Sequence, residues 1–190
     1  MAKSAADNQN AGESLFDAVV RLGEVAPDAP ANLRDTIHLG LRLTPEGDAL
    51  SELVFLTASQ PARAAQAMVC GIRDPLLEEI RRQLSAWFAD SAFQFRLPLG
   101  APRTAFQERL RRALSKTQSG NTYTYAELAK QLNSAPRAVG QALGSNALPL
   151  IVPCHRIISA GNNRLTGFNH ASAGPMLTLK AWLIEREAHA

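Results

Sequence analysis

The stretch from Leu33 to Thr57, LRDTIHLGLRLTPEGDALSELVFLT, leaves this chain few choices. Leu33, Ile37, Leu39, Leu41 and Leu43 fall at or near alternate positions, the period of a half-buried strand. Pro45-Glu46-Gly47-Asp48 then makes a turn and ELVFL returns, so an antiparallel hairpin is expected. Around it, Leu15, Val19 and Leu22 suggest a short helix from Ser14 to Val25. Leu76, Leu77, Ile80, Leu84, Trp87 and Phe88 share one stripe of a helix over about 75–89. FQFRLPL reads as a short strand ending at Pro98. The first half is thus expected to be a small α+β domain over 14–98, after a polar, disordered tail at 1–13.

The second half has a helical texture. Thr104 caps a helix running to about Lys116, with Phe106, Leu110 and Leu114 spaced four apart. Thr124 caps YAELAKQL, and Glu127 three residues on completes a capping box. Asn133-Ser134 breaks the chain, and Ser134 is expected to cap APRAVGQALGS, with Pro136 in its first turn. Two short helices around a tight break have helix-turn-helix texture. In the second, Val139 and Leu143 are the expected buried pair, with Arg137, Gln141 and Gly144 outward. Ala138, Gly140 and Ala142 keep that helix slim, which suits close approach to a groove and equally suits tight helix packing.

Charge divides the chain the same way. Residues 1–90 carry 8 Lys+Arg against 13 Asp+Glu, whereas residues 91–190 carry 12 against 4. A basic half suggests a polyanionic partner, or simply a basic surface. Two cysteines, Cys70 and Cys154, make no disulfide framework, so a reduced cytoplasmic setting is expected, nucleoid-associated in a prokaryote. No apolar run approaches the ~18 residues of a membrane span.

Chemistry concentrates at Asn146–Ile158, NALPLIVPCHRII. A thiol attacks as thiolate, so it needs a lowered pKa or a base, and the base needs an orienting acceptor. His155 adjoins Cys154, but side chains of an extended segment alternate, so contact requires a turn or a bridging water. The carboxylates of the basic half are Glu108, Glu127, Glu185 and Glu187, and the last two end an amphipathic helix, MLTLKAWLIERE, able to fold back. Cysteine is also among the most buried residue types, so these residues alone leave Cys154 open between a packed core thiol and a nucleophile.

From about Phe106 to Glu187 the chain resembles the O6-alkylguanine-DNA alkyltransferases, also called methylated-DNA–protein-cysteine methyltransferases. That resemblance is carried by Asn146, the apolar ALPLIV and Pro153-Cys154-His155-Arg156, preceded in order by TYAELA and RAVGQAL and followed by KAWLIERE. It implies a ribonuclease H-like α/β N-terminal domain followed by a winged helix-turn-helix-like C-terminal domain over 99–190. Within that domain the helix pair would occupy about 124–145 and the active-site segment 146–158.

The resemblance also implies roles. Cys154 would take the alkyl group of O6-alkylguanine, and of O4-alkylthymine, in one irreversible, stoichiometric step. Glu187 would orient His155, which takes the thiol proton through a water. Tyr125, rather than Tyr123, would protonate the departing base, and Asn146 would tie the recognition helix to the active-site turn. Arg137 would fill the stack left by the flipped nucleotide, with Thr124, Ala138, Gly140 and Gln141 along the minor groove. Pro149, Val152, Arg156, Gly167, Phe168 and Ser172 would line the base pocket, main-chain carbonyls around Val152 reading the guanine edge. The implied partner is double-stranded DNA bound by a monomer, with no membrane, cofactor or metal. Ala147 departs from the family's usual Asn-Pro, and TGFNHASAGPM departs from its Gly-Tyr and Gly-Gly loop with Phe168 for tyrosine and about six extra residues. The altered 167–174 loop is expected to change the alkyl-size preference. Rival readings are a DNA-binding relative without chemistry, which would carry tryptophan at the cysteine position, a Cys–His hydrolase, and a regulator with a redox-sensing thiol.

Overall fold

The computed structural model describes residues 16–57, 74–161, 165, 167–168 and 173–189. The 1–13 tail, Cys70, Asn169, His170 and Ser172 lie outside the described residues. The fold is α+β. Strand β1 (Ala18–Arg21) runs into short helix α1 (Leu22–Val25), α2 (Ala31–Arg34) follows, and the hairpin is β2 (Ile37–Leu43) with β3 (Leu50–Thr57). These strands form one antiparallel sheet in the order β1-β2-β3. The turn falls at the expected Pro45–Asp48, where Gly47 holds φ 74°, a conformation that costs glycine little.

Three expectations about the first half are corrected. Residues 18–21 form a strand, not a helix: β-branched Val19 and Val20 pair with Gly40 and Leu39, and Ala18 and Val20 are buried on alternate positions. Leu33 accordingly sits in α2 rather than in the strand. FQFRLPL makes only an isolated bridge, Leu99 to Leu50. Its place as a ladder partner is taken by a side chain: Gln83 Oε1 accepts from Arg96 N at 2.7 Å, and Gln83 Nε2 donates to Arg96 O at 3.1 Å. Both backbone groups of Arg96 are satisfied without a neighbouring strand.

Helix α3 (Pro75–Ala89) begins where Asp74 accepts from the N–H groups of Leu76 and Leu77. It buries Leu77, Ile80, Leu84, Trp87 and Phe88; each such apolar side chain stabilises the fold by ~2 kcal/mol. The second half supplies α4 (Ala105–Leu114), β4 (Tyr123–Thr124), α5 (Tyr125–Gln131), α6 (Pro136–Gly144), β5 (Ile157–Ile158) and α7 (Pro175–Ala188). Thr104 caps α4, and the Thr124–Glu127 capping box is complete. The cap of α6 is Ala135, not Ser134, and no side chain bonds it. Pro136 explains the shift, because a residue before proline is pushed to extended backbone, here φ −98° and ψ 146°.

One contiguous cluster of buried side chains runs from β1 through α3 to α7, so both halves share a core. The open edge of β3 is covered at two points that matter below. Leu50 N donates to Pro98 O at 2.9 Å, and Leu53 N donates to Ala147 O at 2.8 Å. The sheet edge thereby holds the turn that leads to Cys154. Among the described residues, no helix is long and apolar enough to cross a membrane.

Candidate active site

The 146–156 segment is shaped by its own backbone. Pro153, at φ −76° and ψ 66°, centres an inverse γ-turn in which Cys154 N donates to Val152 O at 2.7 Å. Proline presets that φ, which is a physical reason for proline directly before the cysteine. Cys154–Arg156 then makes one 3-10 turn, so the segment is not extended at the thiol and the imidazole. Leu150 holds φ 72° while fully buried, a strained conformation for a branched side chain, kept by packing. Asn146 braces the loop: its Nδ2 donates to Val152 O at 2.9 Å, and its Oδ1 accepts from Leu148 N at 3.2 Å. With Cys154 N and Asn146 both donating to it, the Val152 carbonyl is fully engaged. Pro149 and Val152 are buried beneath the loop.

Behind the cysteine lies a closed ionic network. His155 Nε2 is 2.9 Å from Glu187 Oε1. Arg156 grips the same carboxylate as a fork, Nε to Oε2 and Nη2 to Oε1, both at 2.9 Å. Its other arm donates to Thr117 O at 2.6 Å and Thr117 Oγ1 at 3.0 Å. Arg156, expected in the base pocket, thus has its guanidinium committed to Glu187 and the 115–121 turn. Burial alone would raise the Glu187 carboxyl, but the bonds from His155 and Arg156 outweigh it and hold it at about 2. An ionised Glu187 fixes the proton on His155 Nε2 and leaves Nδ1 with a free lone pair. That Nδ1 is buried and has no hydrogen-bond partner among the described residues.

The protonation states follow. Burial lowers the His155 pKa below 6.5; Glu187 opposes this, while Arg156 and Lys180 add to it. Burial raises the Cys154 thiol, with a hydrogen bond from Asn146 and the charge of Lys180 pulling the other way. Both shifts favour the uncharged forms, a neutral imidazole and a protonated, half-buried thiol.

Three contributors escaped the sequence reading. Lys180 is buried on α7, donates to Ile157 O at 2.7 Å and Gly167 O at 3.3 Å, and titrates near 8 because burial disfavours its charge. Its signals were its place at the head of KAWLIERE and its spacing: Lys180 and Glu187 are seven apart, on the same helix face as Met176 and Leu183. Trp87 of α3 meets the His155 ring edge-on at 6.0 Å. Gly120, at φ 82°, lets the 118–121 turn approach so closely that an added Cβ would lie 3.0 Å from Glu187 O.

The helix pair is joined directly to this site, because β4 and β5 pair with Tyr123 opposite Ile157. Tyr123's hydroxyl accepts from Gln118 N at 3.4 Å, whereas Tyr125's has no hydrogen-bond partner among the described residues. Tyr125's ring lies beneath α6, about 3.7 Å from where a Cβ on Gly140 would stand. On α6, Val139 is buried, Leu143 half-buried, and Arg137 and Gln141 exposed. Ala138 is half-buried, and the Thr124 hydroxyl is occupied by the capping box. Gly167 is exposed, while the Phe168 ring turns inward to meet Phe55 at 5.7 Å.

Comparison with known proteins places the chain among relatives. The family described as 6-O-methylguanine DNA methyltransferase, DNA binding domain, matches residues 105–189. The constitutive methylated-DNA–protein-cysteine methyltransferase of Bacillus subtilis is 41% identical over 115 residues, 60% of this chain and 67% of that protein. The Methanosarcina mazei methylated-DNA–protein-cysteine methyltransferase is 35% identical over 140 residues, 73% of this chain and 84% of that protein. The crystal structure of Mycobacterium tuberculosis OGT in complex with DNA superposes with a TM-score of 0.60 at 32% identity, covering 80% of this chain and 87% of that one. The chain belongs to the methylated-DNA–protein-cysteine methyltransferase family.

Proposed function

We propose that this protein repairs DNA by moving the alkyl group of O6-alkylguanine, and of O4-alkylthymine, onto Cys154. The observation that carries this reading is the buried relay behind the thiol: Glu187 at 2.9 Å from His155 Nε2, and Nδ1 left as a lone-pair acceptor. As the alkyl carbon is attacked, the Sγ–C bond forms and the C–O6 bond breaks. The thiol proton passes to His155 Nδ1, through one water, and the new imidazolium is stabilised by Glu187. The guanine leaves with the bond's electron pair and takes a proton from the Tyr125 hydroxyl, departing neutral. The thioether product offers no leaving group to a second thiol, so each chain reacts once.

The lesion lies inside a duplex, so the nucleotide must be flipped out at a cost of a few kcal/mol. The slim face of α6 enters the minor groove, and Arg137, exposed in its first turn, fills the vacated stack. Asn146 holds α6 to the loop carrying the thiol. Gly167 walls the pocket, whereas Arg156 acts behind it as a positioning residue for Glu187. The protein works as a monomer on double-stranded DNA. The test uses duplex DNA carrying labelled O6-methylguanine. Label should appear on the peptide containing Cys154 and vanish in Cys154→Ala; label on any other residue overturns the proposal.

A further inference from the structure

We propose that the cleft between the β2–β3 hairpin, the 98–104 linker and α6 is a binding site for a phosphate group. It holds a cavity of about 220 Å³ with Asn146 and Val152 in its lining. Three arginines from three separate parts of the chain line it: Arg42 from β2, whose guanidinium also lies over the Phe16 ring at 5.5 Å, Arg103 from the linker and Arg111 from α4. Glu52, 3.4 Å from Arg42, is the one carboxylate among the described residues lining it. The lining therefore carries a surplus of two positive charges.

The unmet bonding capacity of the cleft is donor capacity. Ser51 Oγ is 2.8 Å from Leu43 O, Thr44 Oγ1 donates to Asp48 at 2.7 Å, and Ser145 Oγ donates to Ala142 O at 3.1 Å. Those hydroxyls are spent. Arg111 spends one arm on Gly100 O at 3.0 Å and has no ion pair among the described residues. Burial lowers its pKa, and the charge of Glu108 offsets this only in part, the mark of a cation partly stripped of water. Arg103 has no hydrogen bond or ion pair among the described residues. The N–H groups of Arg103, and those of Arg111 beyond its one bond to Gly100, have no acceptor among the described residues and suit an anion able to accept several at once, as phosphate does bidentately.

Place gives the site its consequence. The Asn146 and Val152 that line it are the pair whose 2.9 Å bond braces the turn before Cys154. At its other end, Ala142, Ser145 and Gln107 are shared with a shallower groove lined by Ala138 and Gln141 of α6. A phosphate can therefore arrive from the DNA strand passing α6 or from a free phosphorylated molecule.

The experiment uses the full chain with Arg103→Gln, Arg111→Gln and, as a charge-matched control outside the cleft, Arg82→Gln. Inorganic phosphate is titrated at constant ionic strength against the thermal unfolding midpoint, and duplex affinity is measured against salt. If the site takes free phosphate, the midpoint rises in the parent and in Arg82→Gln, and Arg103→Gln needs at least about tenfold more phosphate for the same shift. If the source is DNA, free phosphate gives no shift, but Arg103→Gln flattens the log affinity–log salt slope by about one unit and Arg82→Gln does not. Arg111→Gln should follow Arg103→Gln in either arm; should it fail to fold, the exposed Arg103 still decides. No midpoint shift together with an unchanged slope overturns the site, as does an equal loss in Arg82→Gln. Only the DNA arm rests on the function proposed above, and alkyl transfer from free benzylguanine to Cys154 reports on that function independently.

Discussion

Glu187 and His155 lie 32 residues apart in the chain and 2.9 Å apart in the fold, both essentially removed from water. Their relationship fixes which imidazole nitrogen holds the proton. It also sets an expected pH dependence. Because burial holds the His155 pKa below 6.5, single-turnover alkyl transfer should stay level as pH falls to 6.5 and decline only below it. A rapid-quench profile reads this directly. A midpoint at or above 6.5 would mean that attraction to Glu187 dominates instead. His155→Ala should slow transfer by roughly 10²–10⁴-fold, the usual contribution of a general base.

Arg156 carries the second prediction. Glu187 titrates at about 2 in the fold against 4.5 unperturbed, so its contribution to stability is complete above pH 4.5 and is lost as pH falls towards 2. Arg156→Leu removes a main cause of that depression. It should cost about 3–5 kcal/mol at neutral pH, the cost of leaving a buried partner unpaired. The acid-sensitive part of the stability curve between pH 4.5 and 2 should shrink with it. Urea melts across that range check both effects, and Arg156→Lys, which keeps charge but not the fork, should recover only part of the loss.

These networks explain how far the chain could be read in advance. The hairpin, the 75–89 helix and the capping box rest on local chemistry: alternation, an Asp-Pro start, Thr124 three residues before Glu127. They stand where the pattern put them. Val19 and Val20 became strand because β2 lay ready to pair, and the FQFRLPL segment lost its ladder to Gln83, thirteen residues earlier than Arg96. Neither competition is written in a local window. The Cys154, His155 and Glu187 trio was legible only through its resemblance to a family. The fork of Arg156, the buried Lys180 and the ring of Trp87 on His155 depend on contacts between distant segments, for which a single sequence carries no signal beyond spacing on α7 and the place of Lys180 in KAWLIERE.

Gly140 and Arg137 test the DNA face. A Cβ on Gly140 would meet Tyr125 at 3.7 Å, an ordinary contact, so Gly140→Ala should raise stability by up to about 1 kcal/mol through helix propensity. The same methyl should weaken duplex binding if α6 enters the groove. Thermal melts and duplex titrations on one preparation show whether the two move in opposite directions. Arg137→Ala should slow repair in duplex DNA far more than reaction with free benzylguanine, because only the duplex needs a nucleotide flipped. Equal loss in both would remove the stacking role.

The central claim is a single, irreversible transfer to one thiol, and intact-mass analysis under a large excess of O6-methylguanine duplex measures it. One methyl per chain, on Cys154, with no further O6-methylguanine converted to guanine in the duplex after one equivalent, is the expected result. Continued repair beyond one equivalent, or methyl transfer that persists in Cys154→Ala, would contradict it.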